Sequence, residues 1–191
     1  VEKGHLKGPD RFRKYRAKGF RTPTGKVELR LSRAEQYGLP PLPDRGDIAA
    51  PDDRYPLLLT SAKDPHYLHS SYRWVDRLRR KSPRPLARIH PDTARRFGVR
   101  DGEPTTIETA AGRFVQTARL TSRVQPGMVL AAHGWWFPED RADPLSGWDR
   151  ANYNMATAAT SPGKAFGTPT LRGIPCVLRP EAPDPAPDHE K

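Results

Sequence analysis

Turn-forming residues interrupt every apolar segment of this 191-residue chain, which contains 22 prolines and 15 glycines. Short apolar runs between turn residues are typical of β-strands, since helices need longer periodic segments. The segments predicted to form strands are 55–61, 86–90, 105–109, 113–121, 127–133 and 174–178. Many short strands with small helices between them favour a mainly β fold, a closed or nearly closed β-barrel, over a doubly wound sheet.

Three short helical segments are predicted, at 32–38, 73–81 and 91–97. The last begins with proline and is followed by Gly98, and these residue types are preferred at the two ends of a helix. In the first segment, Ser32 is the expected N-cap and Gly38 the expected terminator. Residues 27–31 alternate in the manner of a further strand, and the turn at 110–112 predicts a hairpin between two barrel strands.

Composition along the chain predicts three parts. Residues 1–54 are a basic arm and linker with a short strand, residues 55–179 are the barrel, and residues 180–191, rich in Pro and Asp, are a disordered tail. The chain carries 33 Lys and Arg against 22 Asp and Glu, a net charge of +11. This excess indicates nucleic acid, a membrane surface or a phosphorylated ligand as partner, or it reflects an arginine-rich proteome.

The residue types also exclude several kinds of site. Because Cys176 is the lone cysteine, an internal disulfide is impossible, and Cys176 is expected to be a small core residue. His66 and His69 stand three residues apart without further ligands nearby, so no metal site is predicted. No apolar run approaches the roughly 20 residues of a membrane-spanning helix, and the glycine-rich nucleotide-binding motifs are absent.

The densest polar cluster follows the first predicted barrel strand. The strand 55–61 ends in two hydroxyl residues, and the loop after it contains a lysine, two histidines and another hydroxyl residue. Binding groups are commonly placed on loops that a rigid strand supports. Hydroxyl, ammonium and imidazole groups can donate hydrogen bonds to phosphate oxygens, so residues 60–70 predict a loop for an anionic ligand.

Three further clusters lie near predicted strands. The aromatic run 135–137 follows the strand 127–133, and it suits either stacking on a heterocycle or a small core over the barrel end. Residues 148–154, interpreted as a loop, contain asparagines that suit the edge of a base but that also form turns. Arg172 stands at the head of the last strand and offers a positive charge.

The order of these motifs resembles a known family. The motifs are Gly19 to Leu29, Thr60 to Ser70, Ile89 to Ala94, Gly98 to Glu103, Ile107 to Thr109 with Gly112, Pro126-Gly127, His133 to Trp136, Asn152 to Asn154 and Leu171 to Gly173. Together they are similar to the C-terminal domain of molybdopterin-dinucleotide-dependent oxidoreductases of the dimethyl sulfoxide reductase superfamily, in the thiosulfate/polysulfide reductase and formate dehydrogenase-like branch. Ala156 and Pro104-Thr105 depart from the family's usual residues, which affects local packing more than binding.

The resemblance implies a double-psi β-barrel, of the aspartate decarboxylase-like type, that closes over bis-molybdopterin guanine dinucleotide carrying molybdenum or tungsten. Lys63 and Arg172 are expected to neutralise the pyrophosphate, while Asn154 meets a ring edge. The residues expected to bind the cofactor are Thr60, Ser61, Ala62, Lys63, Pro65, His66, Tyr67, His69, Ser70, Trp135, Asn154 and Arg172.

The resemblance also implies what lies outside this chain. The family's metal ligand and iron–sulfur cysteines belong to domains expected before residue 1, so the chain alone is not expected to turn over a substrate. The chain begins with valine and is expected to be a fragment, a truncated reading frame or a subunit. The expected partners are those N-terminal catalytic domains and an iron–sulfur electron-transfer subunit. The location would be cytoplasmic, or periplasmic if an upstream segment carried an export signal.

Two alternatives give the chain other functions. A small basic nucleic-acid-binding module would use residues 1–20 and 73–84, with Trp135 and Trp136 as stacking platforms. Nucleic acid is the less favoured partner, because the same basic segments suit docking on a larger acidic body. The second alternative is a regulatory or scaffolding remnant that has lost the cofactor.

Overall fold

The computed structural model describes residues 12–42, 49–157 and 167–181. The chain divides into two compact units, Val1–Asp47 and Ile48–Lys191. The predicted boundaries of the arm, the barrel and the tail stay a prediction. Residues 1–11 of that arm and 182–191 of that tail lie outside the described residues.

In the described part of the first unit, helix α1 spans Ser32–Glu35. The expected cap at Ser32 is wrong, because Leu31 occupies the N-cap position and makes no side-chain capping bond. Gly38 follows with a φ of +67°, as expected of a residue that ends a helical turn. The strand predicted at 27–31 is also wrong, since these residues find no strand partner among the described residues to form a ladder with.

Six strands of the described residues form a closed barrel in the second unit. They are β1 Leu57–Ala62, β2 Leu86–Ile89, β3 Pro104–Thr109, β4 Gly112–Leu120, β5 Met128–Ala132 and β6 Arg172–Pro180. Around the barrel they follow the order β1-β5-β2-β4-β3-β6, with β1–β5 and β2–β4 parallel and the other pairs antiparallel. The predicted mainly β barrel is confirmed, and each predicted strand is present with ends shifted by two residues at most.

Alternating apolar side chains fill the interior of the barrel, as the period of a strand requires. The buried residues of this core include Leu57, Leu59, Ala87, Ile89, Ile107, Phe114, Ala118, Val129, Ala131 and Leu178. Cys176 is fully buried among them, which confirms its predicted place in the core. Burial raises the pKa of the Cys176 thiol to about 12, so the thiol stays protonated at neutral pH.

Short helices connect the strands. In the described part of the second unit they are α2 Asp76–Arg79, α3 Pro91–Phe97 and α4 Trp148–Ala151, with a 3₁₀ turn at Tyr153–Ala156. The helix predicted at 91–97 is confirmed with the same bounds. The backbone amide of Asp92 donates to the side chain of His90, and Gly98 ends the helix with a φ of +67°.

Two other expectations for these connections need correction. The helix predicted at 73–81 is reduced to α2, because Val75 is extended and serves as its N-cap. The loop predicted at 148–154 is wrong, because these residues form α4 and the first part of the 3₁₀ turn, with the extended residue Asn152 between them.

The strand directions bring several functional segments to one end of the barrel. Because β1 and β5 are parallel and end in register, Ala62 and Ala132 lie side by side at this end. Strand β6 runs antiparallel to β1 and therefore begins here, with Arg172 opposite Thr60. The hydroxyl of Tyr153 donates to the carbonyl of the residue before Arg172 at 2.9 Å, which holds the 3₁₀ turn nearby. We call this the β1-carboxyl end of the barrel.

Gly112 allows the 3₁₀ turn to pack closely on the start of β4. A Cβ atom at this position would collide with the carbonyl oxygen of Met155. A side chain there would therefore push the turn away from the barrel. The two residues before Gly112 join β3 to β4 as the predicted hairpin.

Candidate functional site

The predicted ligand loop begins in the barrel wall and continues on its surface. Thr60, Ser61 and Ala62 are the last residues of β1 and are half-buried. Lys63 and Pro65, which follow, are exposed. Because side chains alternate along a strand, the hydroxyls of Thr60 and Ser61 face opposite sides of the barrel wall.

Asp64 shapes the turn that follows β1. One oxygen of its carboxylate accepts a hydrogen bond from the backbone amide of His66 at 2.8 Å, a local bond that is typical of aspartate in turns. The Nδ1 atom of the His66 ring lies 3.3 Å from the same oxygen. The other carboxylate oxygen accepts from the hydroxyl of Ser82. His66 is thus half-buried with Nδ1 turned towards the loop's own carboxylate.

Two histidines link the ligand loop to the turn after β5. Nδ1 of His133 lies 3.0 Å from the carbonyl oxygen of Ala62, and since a carbonyl only accepts, this nitrogen carries the proton. In the neutral ring, Nε2 of His133 then accepts a hydrogen bond from Nδ1 of His69, 3.2 Å away. The remaining nitrogen of His69, Nε2, makes no hydrogen bond within the described residues and belongs to an exposed ring.

Two of the predicted cofactor-binding residues lie in a small core beneath the loop. Tyr67 is buried, and its hydroxyl donates to the carbonyl of Ser82 at 2.7 Å. Trp135 is 0% exposed and meets the Tyr67 ring edge-on, with 5.6 Å between the ring centroids. Of the two roles predicted for the aromatic run, Trp135 therefore has the one in a small core over the barrel end. Its contact with a cofactor stays a prediction.

Trp136 and Ser70 form a second link between the two loops. The indole N–H of the half-buried Trp136 donates to the carbonyl oxygen of Ser70 at 2.7 Å. Ser70 itself is exposed to solvent. The backbone of Ser70 is therefore held by the turn after β5 while its side chain stays accessible.

Asn154 and Arg172 are both exposed near the β1-carboxyl end. The 3₁₀ turn that carries Asn154 begins at Asn152, whose side chain accepts from the Asn154 amide and donates to the carbonyl of Trp135, each at 3.0 Å. Burial raises the pKa of the Tyr153 phenol, so its hydroxyl remains a donor beside Arg172. Asn154 and Arg172 are thus held on neighbouring segments.

The cations of the predicted site form no ion pairs within the described part of the chain. Neither Lys63 nor Arg172 forms an ion pair with another described residue. Some exposed arginines elsewhere on the barrel are paired, such as Arg179 with Glu108 at 2.9 Å, whereas Arg123 forms no ion pair with another described residue. Unpaired cations beside hydroxyl donors suit an anionic ligand.

Three buried polar residues lie behind the site, and the sequence patterns do not predict their burial. Gln116 is 1% exposed and makes three hydrogen bonds, donating to the carbonyls of Ala132 and Ala151 and accepting from the Ala132 amide. Asn152 is the second, and Arg73 is the third. A polar residue at an inward position of a strand was the available signal for Gln116. Arg73 is buried, so it is withdrawn from the basic surface that binding of nucleic acid would use.

Other kinds of site are not formed by the described residues. Within residues 12–42, 49–157 and 167–181, no group of three or more His, Cys, Asp or Glu is arranged to hold a metal ion. Among the helices of these ranges, none has the length and apolar character needed to cross a membrane. A shallow depression lined by Arg95, Arg100 and Leu120 lies where β4 ends, away from the candidate site.

The fold and the site together define a class of protein: a six-stranded barrel that presents hydroxyl, amide and cationic groups at one end. Comparison with known families names that class more closely. The family profile described as "Molydopterin dinucleotide binding domain" matches residues 57–175. The chain belongs to this family of molybdopterin dinucleotide-binding domains, as its motifs predicted.

Individual relatives agree with this assignment. Acetylene hydratase of Syntrophotalea acetylenica is 33% identical in an alignment 168 residues long that covers 81% of this chain and 23% of that protein. Dopamine dehydroxylase of Eggerthella lenta is 30% identical over 70% of this chain and 13% of its own length. Dimethyl sulfoxide reductase DmsA of Escherichia coli is 28% identical over 62% of this chain and 16% of its own length.

A solved structure shows the same architecture. Acetylene hydratase from Pelobacter acetylenicus superposes with a TM-score of 0.72 and 30% identity, covering 91% of this chain and 26% of that one. The chain thus spans about a quarter or less of the length of these relatives.

The family and its dimethyl sulfoxide reductase members identify the cofactor as bis-molybdopterin guanine dinucleotide with molybdenum or tungsten. The donors described above fit this group. A pyrophosphate needs positive charge and hydrogen-bond donors, and Lys63, Arg172 and Thr60 carry groups of these kinds at one barrel end. A guanine edge carries both donors and acceptors, which the exposed amide of Asn154 can match.

Proposed function

We propose that the β1-carboxyl end of the barrel binds the guanine dinucleotide part of the cofactor through Lys63, Arg172 and Asn154. The observation that carries this proposal is the cross-strand pairing of Thr60 with Arg172. It places a hydroxyl donor beside a cation that has no ion-pair partner among the described residues. The planar guanidinium can donate two parallel hydrogen bonds to phosphate oxygens, while the ammonium of Lys63 contributes a compact charge.

The other predicted residues divide between contact and support. The hydroxyl of the exposed Ser70 can donate a hydrogen bond to the ligand. In a neutral His69 ring, Nε2 can accept a hydrogen bond from the ligand. Ser61, Ala62, Pro65 and His66 fix the path of the loop out of β1. Tyr67 and Trp135 support that loop from the small core beneath it.

The domain works, in our proposal, within a larger molybdenum or tungsten oxidoreductase. It corresponds to about a quarter or less of each relative described above. The proposed partners are catalytic domains that carry the metal ligand and an iron–sulfur subunit that transfers electrons. The metal of the bound cofactor supplies the reaction chemistry, and the residues of this chain hold the dinucleotide and keep water from it.

Guanosine 5′-diphosphate contains the base and a pyrophosphate, so it serves as a probe for the binding site on the 191-residue chain. We expect calorimetry to show binding of guanosine diphosphate that Arg172→Ala weakens at least about tenfold. A charge-assisted hydrogen bond contributes about 1.5 to 3 kcal/mol, and about 1.4 kcal/mol corresponds to a factor of ten. Asn154→Ala should remove the preference for guanosine diphosphate over cytidine diphosphate.

Arg123→Ala is the matched control, because Arg123 is an exposed arginine between β4 and β5, at the opposite end of the barrel. It removes the same charge and should leave the affinity within twofold. Equal losses from Arg172→Ala and Arg123→Ala would show that only net charge attracts the nucleotide. That result would overturn the proposed site.

A separate measurement tests the partners. The chain is produced together with the catalytic domains in a host that makes molybdopterin guanine dinucleotide. Mass spectrometry of the purified complex should then detect the guanine dinucleotide. A complex that forms without any of it would refute the role of this domain in cofactor retention.

A further inference from the structure

Arg73 is a charged side chain placed entirely inside the second unit, with 1% of its surface exposed. Its guanidinium makes three hydrogen bonds, all to backbone carbonyls. Nε donates to the carbonyl of Gly134 at 3.0 Å, and Nη2 donates to those of His69 and His133, each at 3.2 Å. The three carbonyls belong to two segments about sixty residues apart in sequence, the ligand loop and the turn after β5.

Two aromatic rings enclose the same guanidinium. Its central carbon lies 4.3 Å from the ring centroid of Tyr67 and 4.0 Å from that of Trp135. A planar cation is well suited to such faces, because it is weakly hydrated and attracted by the ring electrons. Burial lowers the pKa of Arg73 to about 10, so the group stays charged at neutral pH. These contacts explain how the charge is tolerated inside the protein.

The charge of Arg73 is not balanced by a carboxylate in hydrogen-bond contact. No described acidic group forms an ion pair with it, and its Nη1 atom is buried without a hydrogen-bond partner among the described residues. Burying an unpaired charge opposes folding. A residue that served stability alone would be better replaced here by an apolar side chain of similar size.

Two of the three carbonyls that Arg73 binds belong to residues with a left-handed backbone, and for one of these, His69, that conformation is unusual. His69 has a φ of +54° and Gly134 a φ of +64°, both in the left-handed region. Such conformations persist at non-glycine residues when the surroundings hold them. The backbones also approach closely there, since a Cβ atom on Gly134 would lie 3.1 Å from the amide nitrogen of Ser70. Arg73 therefore secures the contact between the two segments.

We propose that Arg73 is a positioning residue that holds the loop from Lys63 to Ser70 in the conformation that binds the dinucleotide. This inference rests on the proposed function for the identity of the ligand. Arg73 acts through the carbonyls of His69, His133 and Gly134 rather than by contact with the ligand. It fixes the exposed side chains of His69 and Ser70 in place before the cofactor arrives, which lowers the cost of ordering the loop on binding.

Arg73→Lys tests the proposal, because lysine keeps the charge but not the planar fork that reaches three carbonyls. Hydrogen exchange followed by mass spectrometry should show at least tenfold faster exchange in peptides that cover residues 63–73, with strand peptides unchanged. The affinity for guanosine diphosphate should fall about tenfold. Arg73→Gln, which removes the buried charge and keeps an amide donor, serves as the second variant and should also loosen the loop.

Leu178→Val is the control, since Leu178 lies in the barrel core towards the far end of β6. It should lower the unfolding midpoint while leaving loop exchange and nucleotide affinity within twofold of the unchanged chain. Wild-type exchange in the loop of Arg73→Lys would overturn the proposal, and so would complete unfolding of both Arg73 variants, because the role would then be global. If the unchanged chain does not bind guanosine diphosphate, the proposed function fails, and the exchange comparison still decides whether Arg73 holds the loop.

Discussion

Replacing Gln116 by methionine should destabilise the barrel strongly, although the two side chains have similar size. The amide of Gln116 donates to the carbonyl of Ala132 at 2.7 Å and to that of Ala151 at 3.1 Å, and its oxygen accepts from the Ala132 amide at 2.9 Å. Methionine has no strong donor or acceptor. Gln116→Met would therefore leave three buried backbone groups without these bonds.

The expected loss of unfolding free energy follows from these three unpaired backbone groups. A buried donor or acceptor that loses its partner costs about 1 to 3 kcal/mol. The apolar methionine returns part of this through better burial of its own surface, on the order of 1 kcal/mol. We expect the free energy of unfolding to fall by about 3 kcal/mol, which is a large effect for one substitution.

Urea unfolding followed by tryptophan fluorescence measures this change directly. The 4 tryptophans of the chain are Trp74, Trp135, Trp136 and Trp148, and they all belong to the second unit, so the signal reports the barrel. With a slope of about 2 kcal/mol per molar urea, the midpoint should fall by about 1.5 M.

The control for this substitution is Gln125→Met, because Gln125 is exposed in the turn before β5. It makes the same chemical change and should alter the free energy of unfolding by less than about 0.5 kcal/mol. A loss below about 1 kcal/mol for Gln116→Met would refute the reasoning. It would mean that water or a shift of the chain replaces the three bonds.

Three other changes test the barrel. Gly112→Ala should lower the free energy of unfolding by about 3 kcal/mol, because the added Cβ collides with the 3₁₀ turn. The control Gly127→Ala should cost only about 1 kcal/mol, since its added Cβ meets open space. Equal losses would argue against the close approach at Gly112. Iodoacetamide at pH 8 should alkylate Cys176 about 1000-fold more slowly in the folded chain than in urea, because burial raises the thiol pKa to about 12; similar rates would contradict its burial. The hydrogen bond from Arg179 lowers the pKa of Glu108 below its ordinary value of 4.5. The ionised Glu108 therefore stabilises the folded chain at pH values above 4.5, and this contribution is lost as the pH falls through the lowered pKa. Glu108→Gln should flatten the acid side of the stability profile, and an unchanged profile would show that the pair contributes nothing.

The sequence predicts the barrel strands well because their signals are local. Each strand alternates or forms a short apolar run between turn residues, and the helix at 91–97 carries its own end signals. The same local reasoning fails at 27–31, where alternation is present without a partner strand. A strand is stabilised by pairing, and pairing depends on residues distant in sequence.

Site residues divide in the same way. Hydroxyls, lysine and histidines in one loop mark 60–70 as a ligand loop, and the order of motifs leads to the cofactor. Whether a side chain of that loop faces outward depends on packing. Tyr67 and Trp135 have residue types that suit stacking on a heterocycle, yet both are buried beneath the loop.

By itself, the sequence determined the class of fold, the six strands and the family, because these depend on patterns along the chain and on motif order. Only the tertiary structure decided that Thr60 lies opposite Arg172, since that neighbourhood comes from antiparallel pairing across more than a hundred residues. It also decided that Arg73 is buried between two aromatic rings and that Gln116 ties β4 to the ends of two other segments. Such roles depend on which distant backbone carbonyls come within reach of a side chain, and residue type alone does not carry that information.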